Sequence, residues 1–343
     1  MIIKSSPTSN AQILSVGSYR PKRLVPNSEI VDRIESSDEW IQQRTGIQSR
    51  RFAGPDETVI TMAKAACESA LKRANLTMTD IDTLILSTIS YPFQAPSAAT
   101  ELINELGNPK AAAFDISAAC AGFCYGVGMA NDLVRGGTSK NVLVVGVEKL
   151  SDFTDPDDRA TAFIFADGAG AVVIGQSPEA KIGPTIWGSD ADSRDAIMLN
   201  PAYTEFRNAP DKGVAQLGWP NISQQGQTVF RWAVYSMSKV GLKALESAGL
   251  GVNDLDVFIP HQANIRIIET ACSKLGMPMD RVAMVLHRTG NTSSASIPLA
   301  LVDALENGRV KRDDNVLLVG FGAGMSWASA VIRWTGHLPE GNK

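Results

Sequence analysis

Apolar and polar positions along the chain follow two periods. Short β-branched runs over 83–89, 141–147 and 315–320 read as buried strands. Between such runs, Val59–Ala74 and 229–248 place apolar residues at helical spacing. Strand–helix alternation predicts an α/β architecture. No low-complexity tract or Pro/Ser-rich linker interrupts it.

The pattern repeats. ALKRANLTMTDIDTLIL from Ala70 aligns without a gap on ALESAGLGVNDLDVFIP from Ala244, pairing Ala74 with Ala248, Asp80 with Asp254 and Asp82 with Asp256. The offset of 174 recurs where NVLVVGVE from Asn141 matches NVLLVGFG from Asn315. Two matches at one offset predict an internal duplication. The 343 residues then divide into similar halves, 1–178 and 179–343, with the seam near 177–184.

Composition narrows the function classes. A net charge of −4 and a pI near 5.5 argue against a nucleic-acid binder, which normally carries a basic excess. The amino terminus lacks the pattern of a signal peptide. The longest nearly apolar stretch, 160–175, is interrupted by Asp167 and by glycines, so no membrane span is expected. Four cysteines in a chain of this length do not form a disulfide framework, and a cytoplasmic setting is expected.

Three residues stand at junctions suited to chemistry. Cys120 follows a predicted strand over 111–116 and precedes a helical pattern from Ala121. A helix N-terminus there would stabilise a thiolate and lower the cysteine pKa. A small buried cysteine is the plain alternative, and packing is the simpler role for Cys124. His261 follows a strand ending at Pro260, the carboxyl end where α/β sheets bind ligands. It suits a general acid/base or hydrogen-bond donor, or it satisfies the next helix. Asn291 opens a helix in GNTSSASIP, as an N-cap or as a functional amide. The 174 offset carries Cys120 to position 294, so the cysteine and asparagine junctions correspond in the two halves. VGFGAGMSW from Val319 is too near the carboxyl end for a dinucleotide fingerprint, and reads as a glycine turn offering backbone N–H groups.

Cys120, His261 in PHQAN, Asn291 in GNTSSASIP and the GFGAGMSW turn together resemble the β-ketoacyl-acyl-carrier-protein synthase III family of the thiolase superfamily. SSDEWIQQRTGI and DRATAFIFADGAGAVVIG strengthen the resemblance. It implies a five-layered αβαβα thiolase-like fold. It also implies a decarboxylating Claisen condensation of an acyl-CoA with malonyl-acyl-carrier protein. Cys120 would carry the acyl group, and His261 and Asn291 would stabilise the enolate. The N–H groups of Cys120 and Ala323 would form an oxyanion hole. Trp40, Arg44, Thr45 and Arg159 would hold CoA. Arg231, Arg266 and Lys274 would face an acidic carrier protein. The family implies a homodimer and no permanently bound cofactor or metal.

Two departures qualify the match. Ala323 stands where many members have the middle of three glycines, and a positive φ there would be costly. In the loop YPFQAPSAA, Ala95 aligns where acetyl-CoA-preferring members often carry Phe, with Phe93 as the neighbouring alternative. A small residue there predicts a longer or branched primer. A starter-unit synthase of a polyketide or specialised lipid pathway is the nearest rival. A non-catalytic acyl-CoA-binding subunit and a nicotinamide oxidoreductase are more distant ones.

Overall fold

The computed structural model describes residues 9–208 and 216–337. Along the chain come β1 (Asn10–Tyr19), β2 (Arg23–Pro26), α1 (Asp38–Thr45), β3 (Ser49–Phe52), α2 (Val59–Ala74), β4 (Thr83–Ser87), α3 (Ala98–Glu105), β5 (Ala112–Ile116), α4 (Gly122–Arg135), β6 (Asn141–Lys149), β7 (Asp167–Ser177), β8 (Ile186–Ser189), β9 (Ile197–Asn200), α5 (Tyr203–Asn208), β10 (Asn221–Gln224), α6 (Gly226–Ser247), β11 (Val257–Pro260), α7 (Ile265–Leu275), α8 (Leu286–Thr289), α9 (Ser296–Glu306), β12 (Asn315–Gly322) and β13 (Ser326–Arg333).

One sheet has the order β1-β7-β6-β4-β5, the other β11-β12-β13-β8. Helices α4 and α9 lie between them, α2 and α3 cover the outer face of the first, and α6 and α7 cover the outer face of the second. The result is the five-layered αβαβα arrangement. Strand residues alternate between layers. Val142 and Val144 of β6 join the central core, whereas Leu143 and Val145 join the outer one. Leu318 of β12 likewise points inward, with Leu317 and Val319 outward. Strands buried on both faces read as unbroken apolar runs, which is why the sequence marks them so clearly.

The repeated aspartates and asparagines are tie points between parallel strands. Asn141 N–H donates to the Asp82 carboxylate (3.1 Å), and Asn141 Nδ2 to Asp80 O (3.0 Å). In the second sheet Asn315 N–H donates to Asp256 (2.8 Å), and Asn315 Nδ2 to Asp254 O (2.8 Å). The symmetry breaks between the last strands of each sheet. Residues 150–166 link β6 to β7, whereas only 323–325 link β12 to β13. The longer link supplies one wall of the molecule's main cavity. No helix among the described residues is long and apolar enough to cross a membrane.

Candidate active site

That cavity measures about 640 Å³, and Cys120, His261 and Asn291 all line it. Cys120 sits in a 3₁₀ turn, Ala119–Ala121, that feeds directly into α4. Ala119 holds φ +45, a left-handed conformation that lifts the next residue out of the strand direction. Strand β12 passes behind the turn with glycines. A Cβ on Gly322 would fall 2.6 Å from the Cys120 nitrogen.

His261 extends β11, its N–H donating to Val319 O at 2.8 Å. The ring is buried and edge-on to Phe321, with centroids 5.2 Å apart. Nδ1 is 2.7 Å from Ser296 Oγ. That oxygen also accepts from Gln262 N–H at 3.3 Å; in the tautomer that turns the serine proton to Nδ1, the ring hydrogen sits on Nε2 and faces the cavity as a donor. Burial holds the His261 pKa down at about 3, so the ring is neutral. Gln262 Oε1 accepts from Val285 and Leu286 N–H (2.9 and 3.2 Å), fastening the histidine strand to the segment before α8.

Asn291 is pinned through its backbone. Its N–H donates to Ile164 O and its carbonyl accepts from Ala166 N–H, both at 2.9 Å. Its Oδ1 accepts from Ser293 N–H at 2.9 Å, so Nδ2 remains as a donor for the cavity. The second elbow follows, a 3₁₀ turn over Ser293–Ala295 running into α9, with Ser293 at φ +47. It stands 174 positions from its counterpart, residue for residue. Gly320 of β12 and Gly146 of β6 correspond in the same way. A Cβ on Gly320 would lie 3.2 Å from Cys120 O, and one on Gly146 only 2.3 Å from Ser294 O.

Two expectations change here. The Cys120 thiol is not acidified. Burial pushes its pKa up to about 12, the Glu148 carboxylate adds to the rise, and the Ser293 hydroxyl opposes it. Burial disfavours the charged form, and it is the largest of these contributions. Nor does Ala323 meet a backbone cost. It lines the cavity without a positive φ, and the left-handed residue of the turn is Gly324 at φ +126.

Trp40, Arg44, Thr45 and Arg159 line the cavity. The guanidinium carbons of Arg44 and Arg159 lie 5.0 and 5.5 Å from the Trp40 ring, and Phe163 meets the ring edge-on at 5.3 Å. Thr45 is buried, and its hydroxyl is engaged within the fold. It donates to Ile41 O (2.7 Å) and accepts from Ile47 N–H (3.1 Å). Arg231 and Arg266 are exposed and also line the cavity, with Arg266 5.5 Å from the Phe230 ring. Lys274 does not line it. Its ammonium donates to Val234 O (3.2 Å) and lies 5.9 Å from the Tyr235 ring. Lys239, which no motif marked, sits 3.8 Å from that same ring. Ala95 is exposed and lines no part of this chain's cavity. Phe93, two residues earlier, is 61% exposed.

Sequence reasoning missed the apolar side of the cavity, formed by Ile89, Leu150, Ile164, Phe165, Ile197 and Ile222. Ile197 and Ile222 come from the small β9–β10 sheet. The alternation ILE–MET–LEU–ASN in 197–200 was its one local signal. Asn264 was also missed. It caps α7 by accepting from Arg266 N–H (2.9 Å) and reaches back to Arg44 O (2.9 Å), joining two cavity walls.

A cysteine at a strand-to-helix elbow, with a neutral histidine and a carboxamide from the other half of a duplicated αβαβα core, marks the condensing enzymes of the thiolase superfamily. Residues 114–191 match the family model described as 3-oxoacyl-[acyl-carrier-protein (ACP)] synthase III, and 245–334 match its C-terminal counterpart. The chain is 49% identical over 328 residues to β-ketoacyl-[acyl-carrier-protein] synthase III 1 of Streptomyces coelicolor, covering 94% of this chain and 96% of that one. It is 48% identical over 322 residues to the synthase III of Mycobacteroides abscessus, covering 94% of each. Among solved structures, the priming β-ketosynthase of the R1128 polyketide pathway superposes with a TM-score of 0.93 at 40% identity, covering 98% of this chain and 99% of that one. The synthase III of Aquifex aeolicus gives 0.86 at 37% identity, covering 94% and 100%. The chain belongs to the β-ketoacyl-[acyl-carrier-protein] synthase III family.

Proposed function

We propose that the protein primes chain synthesis by condensing an acyl-CoA with malonyl-acyl-carrier protein, giving a 3-oxoacyl-acyl-carrier protein and CO2. The observation that carries this reading is the convergence of Cys120, His261 and Asn291 on a single cavity that also reaches the Arg44–Trp40–Arg159 cluster. An adenine stacks well on such an indole, and guanidinium groups match phosphate oxygens.

In the first half-reaction Cys120 attacks the thioester carbon. Its proton leaves with CoA as the free thiol, and the N–H groups of Cys120 and Ala323 stabilise the tetrahedral oxyanion. With the thiol protonated at rest, ionisation accompanies attack, and the proton passes to the departing CoA sulfur. In the second half-reaction the malonyl thioester loses CO2. His261 Nε2–H and Asn291 Nδ2–H donate to the thioester oxygen as enolate charge develops. The enolate carbon attacks the acyl-cysteine and expels the Cys120 thiolate, which takes up a proton from solvent to restore the thiol.

Arg231 and Arg266 suit docking of an acidic carrier protein, with Lys239 and Lys274 extending the basic face. The exposed β5 edge of the first sheet and the exposed Phe93 support a homodimer in which the 91–97 loop reaches the partner's cavity. Four unpaired cysteines support a reducing, cytoplasmic setting.

Labelled acyl-CoAs of graded length, followed by addition of malonyl-acyl-carrier protein, test the reading. Acyl transfer to Cys120 and release of CO2 are expected. Failure to acylate Cys120, or to decarboxylate, would overturn it. A second reading, a starter-unit synthase for a polyketide, rests on the R1128 relative. Preference for a polyketide carrier over the fatty-acid one would favour it.

A further inference from the structure

The 174 offset maps the site onto a second set of positions, buried at three of them and exposed at Ser117. Cys120 corresponds to Ser294, His261 to Ser87, Asn291 to Ser117 and Gly322 to Glu148. Where glycine at 322 leaves room beside the working cysteine, glutamate at 148 fills the equivalent space beside Ser294. Glu148, Ser87 and Ser294 are each at most 1% exposed.

The carboxylate faces five neutral donor groups, one of which, the Ser294 hydroxyl, also lies 3.0 Å from Ser87 O and can give its single hydrogen to only one of them. Oε2 accepts from Ser90 Oγ (2.7 Å), Thr88 Oγ1 (3.2 Å) and Ile89 N–H (3.1 Å). Oε1 accepts from Ser293 Oγ and Ser294 Oγ, both at 3.1 Å. Ser293 also lines the cavity with Cys120. Its single hydroxyl hydrogen has two possible destinations. With the thiol protonated, Ser293 donates to Glu148 and can accept from the sulfur. With a thiolate, Ser293 can turn its hydrogen to the sulfur, while Glu148 keeps Ser90, Thr88 and Ile89 on Oε2 and has Ser294 within reach of Oε1.

We propose that Glu148 is a positioning residue for Cys120, acting through Ser293 to hold the thiol protonated until substrate arrives. The inference rests on Cys120 being the nucleophile. Other titratable or charged groups around the thiol are His261 across the cavity, Cys124 one turn along α4, and the exposed Arg44, Arg159, Arg231 and Arg266 farther along the cavity wall. The pKa directions agree with the geometry, since Glu148 raises the Cys120 value and Ser293 lowers it.

The test is the rate of Cys120 alkylation by iodoacetamide in substrate-free protein, read by mass spectrometry between pH 7 and 9. Well below the thiol pKa, each half-unit fall in pKa raises the thiolate fraction about threefold and, after the loss in intrinsic nucleophilicity, the alkylation rate about twofold. Glu148→Gln is expected to alkylate at least about twofold faster than the parent, and Ser293→Ala more slowly. Alanine is compatible with the Ser293 backbone, because Ala119 holds the matching conformation in the first elbow. Opposite shifts separate this role from simple loosening, which would speed both variants. Equal rates in Ser293→Ala and parent would overturn the proposal even if Glu148→Gln failed to fold. The readout needs no turnover, so it stands apart from the outcome of the acyl-CoA experiment.

Discussion

His261 shows how burial and chemistry pull in one direction. The ring titrates near 6.5 when the chain is unfolded, but at about 3 when folded. Below pH 6.5 the unfolded chain takes up a proton that the folded chain refuses. Stability is therefore fully present above about 6.5 and falls as pH drops towards 3, by up to about 1.4 kcal/mol per pH unit from this group. Urea unfolding at pH 7, 6 and 5 should show the difference between parent and His261→Gln, and parallel slopes would refute it. Ser296→Ala removes the partner of Nδ1. It should lower condensation by about tenfold or more, with a smaller effect on acyl transfer to Cys120. Cys120, His261 and Asn291 were visible in the sequence because each is a reactive side chain at a change of period. Glu148, Ser293 and Ser296 were not. They are polar residues inside apolar or small-residue runs, and only folding shows which of them meet.

The two elbows depend on strands that approach without side chains. Gly146→Ala puts a methyl carbon about 2.3 Å from Ser294 O, and the obstacle is backbone rather than a movable side chain. A loss of about 1–3 kcal/mol in denaturant unfolding is expected. Gly322→Ala places its methyl against the Cys120 backbone and should cost activity more than stability, measured as acyl transfer in protein that retains its circular dichroism. The β9–β10 sheet sets the apolar side of the cavity through Ile197 and Ile222. Ile222→Trp should reduce turnover of six-carbon and longer acyl-CoAs at least about tenfold while largely sparing acetyl-CoA. An equal loss on both would show that the acyl chain lies elsewhere. The long buried elements were legible almost to the residue, α2 as Val59–Ala74. The helix after His261 begins at Ile265 because Asn264 caps it, a detail no periodicity carries.

At the scale of the molecule, α4 and α9 share one core with both sheets. Phe123 and Val127 from one half pack in the same cluster as Ile297 and Leu301 from the other. Separating the halves would expose that entire layer to water. Calorimetry should show a single cooperative transition, and a fragment of residues 1–178 should fail to fold alone. Two resolved transitions would contradict this. The duplication was readable because its tie points, Asp82 with Asn141 and Asp256 with Asn315, are polar residues repeated in a fixed frame. The loss of symmetry was not, since an aligned Gly322 and Glu148 look like ordinary divergence until their surroundings are known.

The largely buried counterpart of the site has an evolutionary consequence. Reopening it would require a nucleophile at 294, an imidazole at 87, an amide at 117 and a small residue at 148. Replacing Glu148 alone takes the acceptor from the Ser90 and Ser293 hydroxyls and the Ile89 N–H. Enlarging Ser87 alone drives it into Gly122, whose added Cβ would already lie 1.8 Å from the Ser87 hydroxyl. Each of these two single steps carries its own structural cost, so the second pocket would open only through changes made together at Glu148 and Ser87.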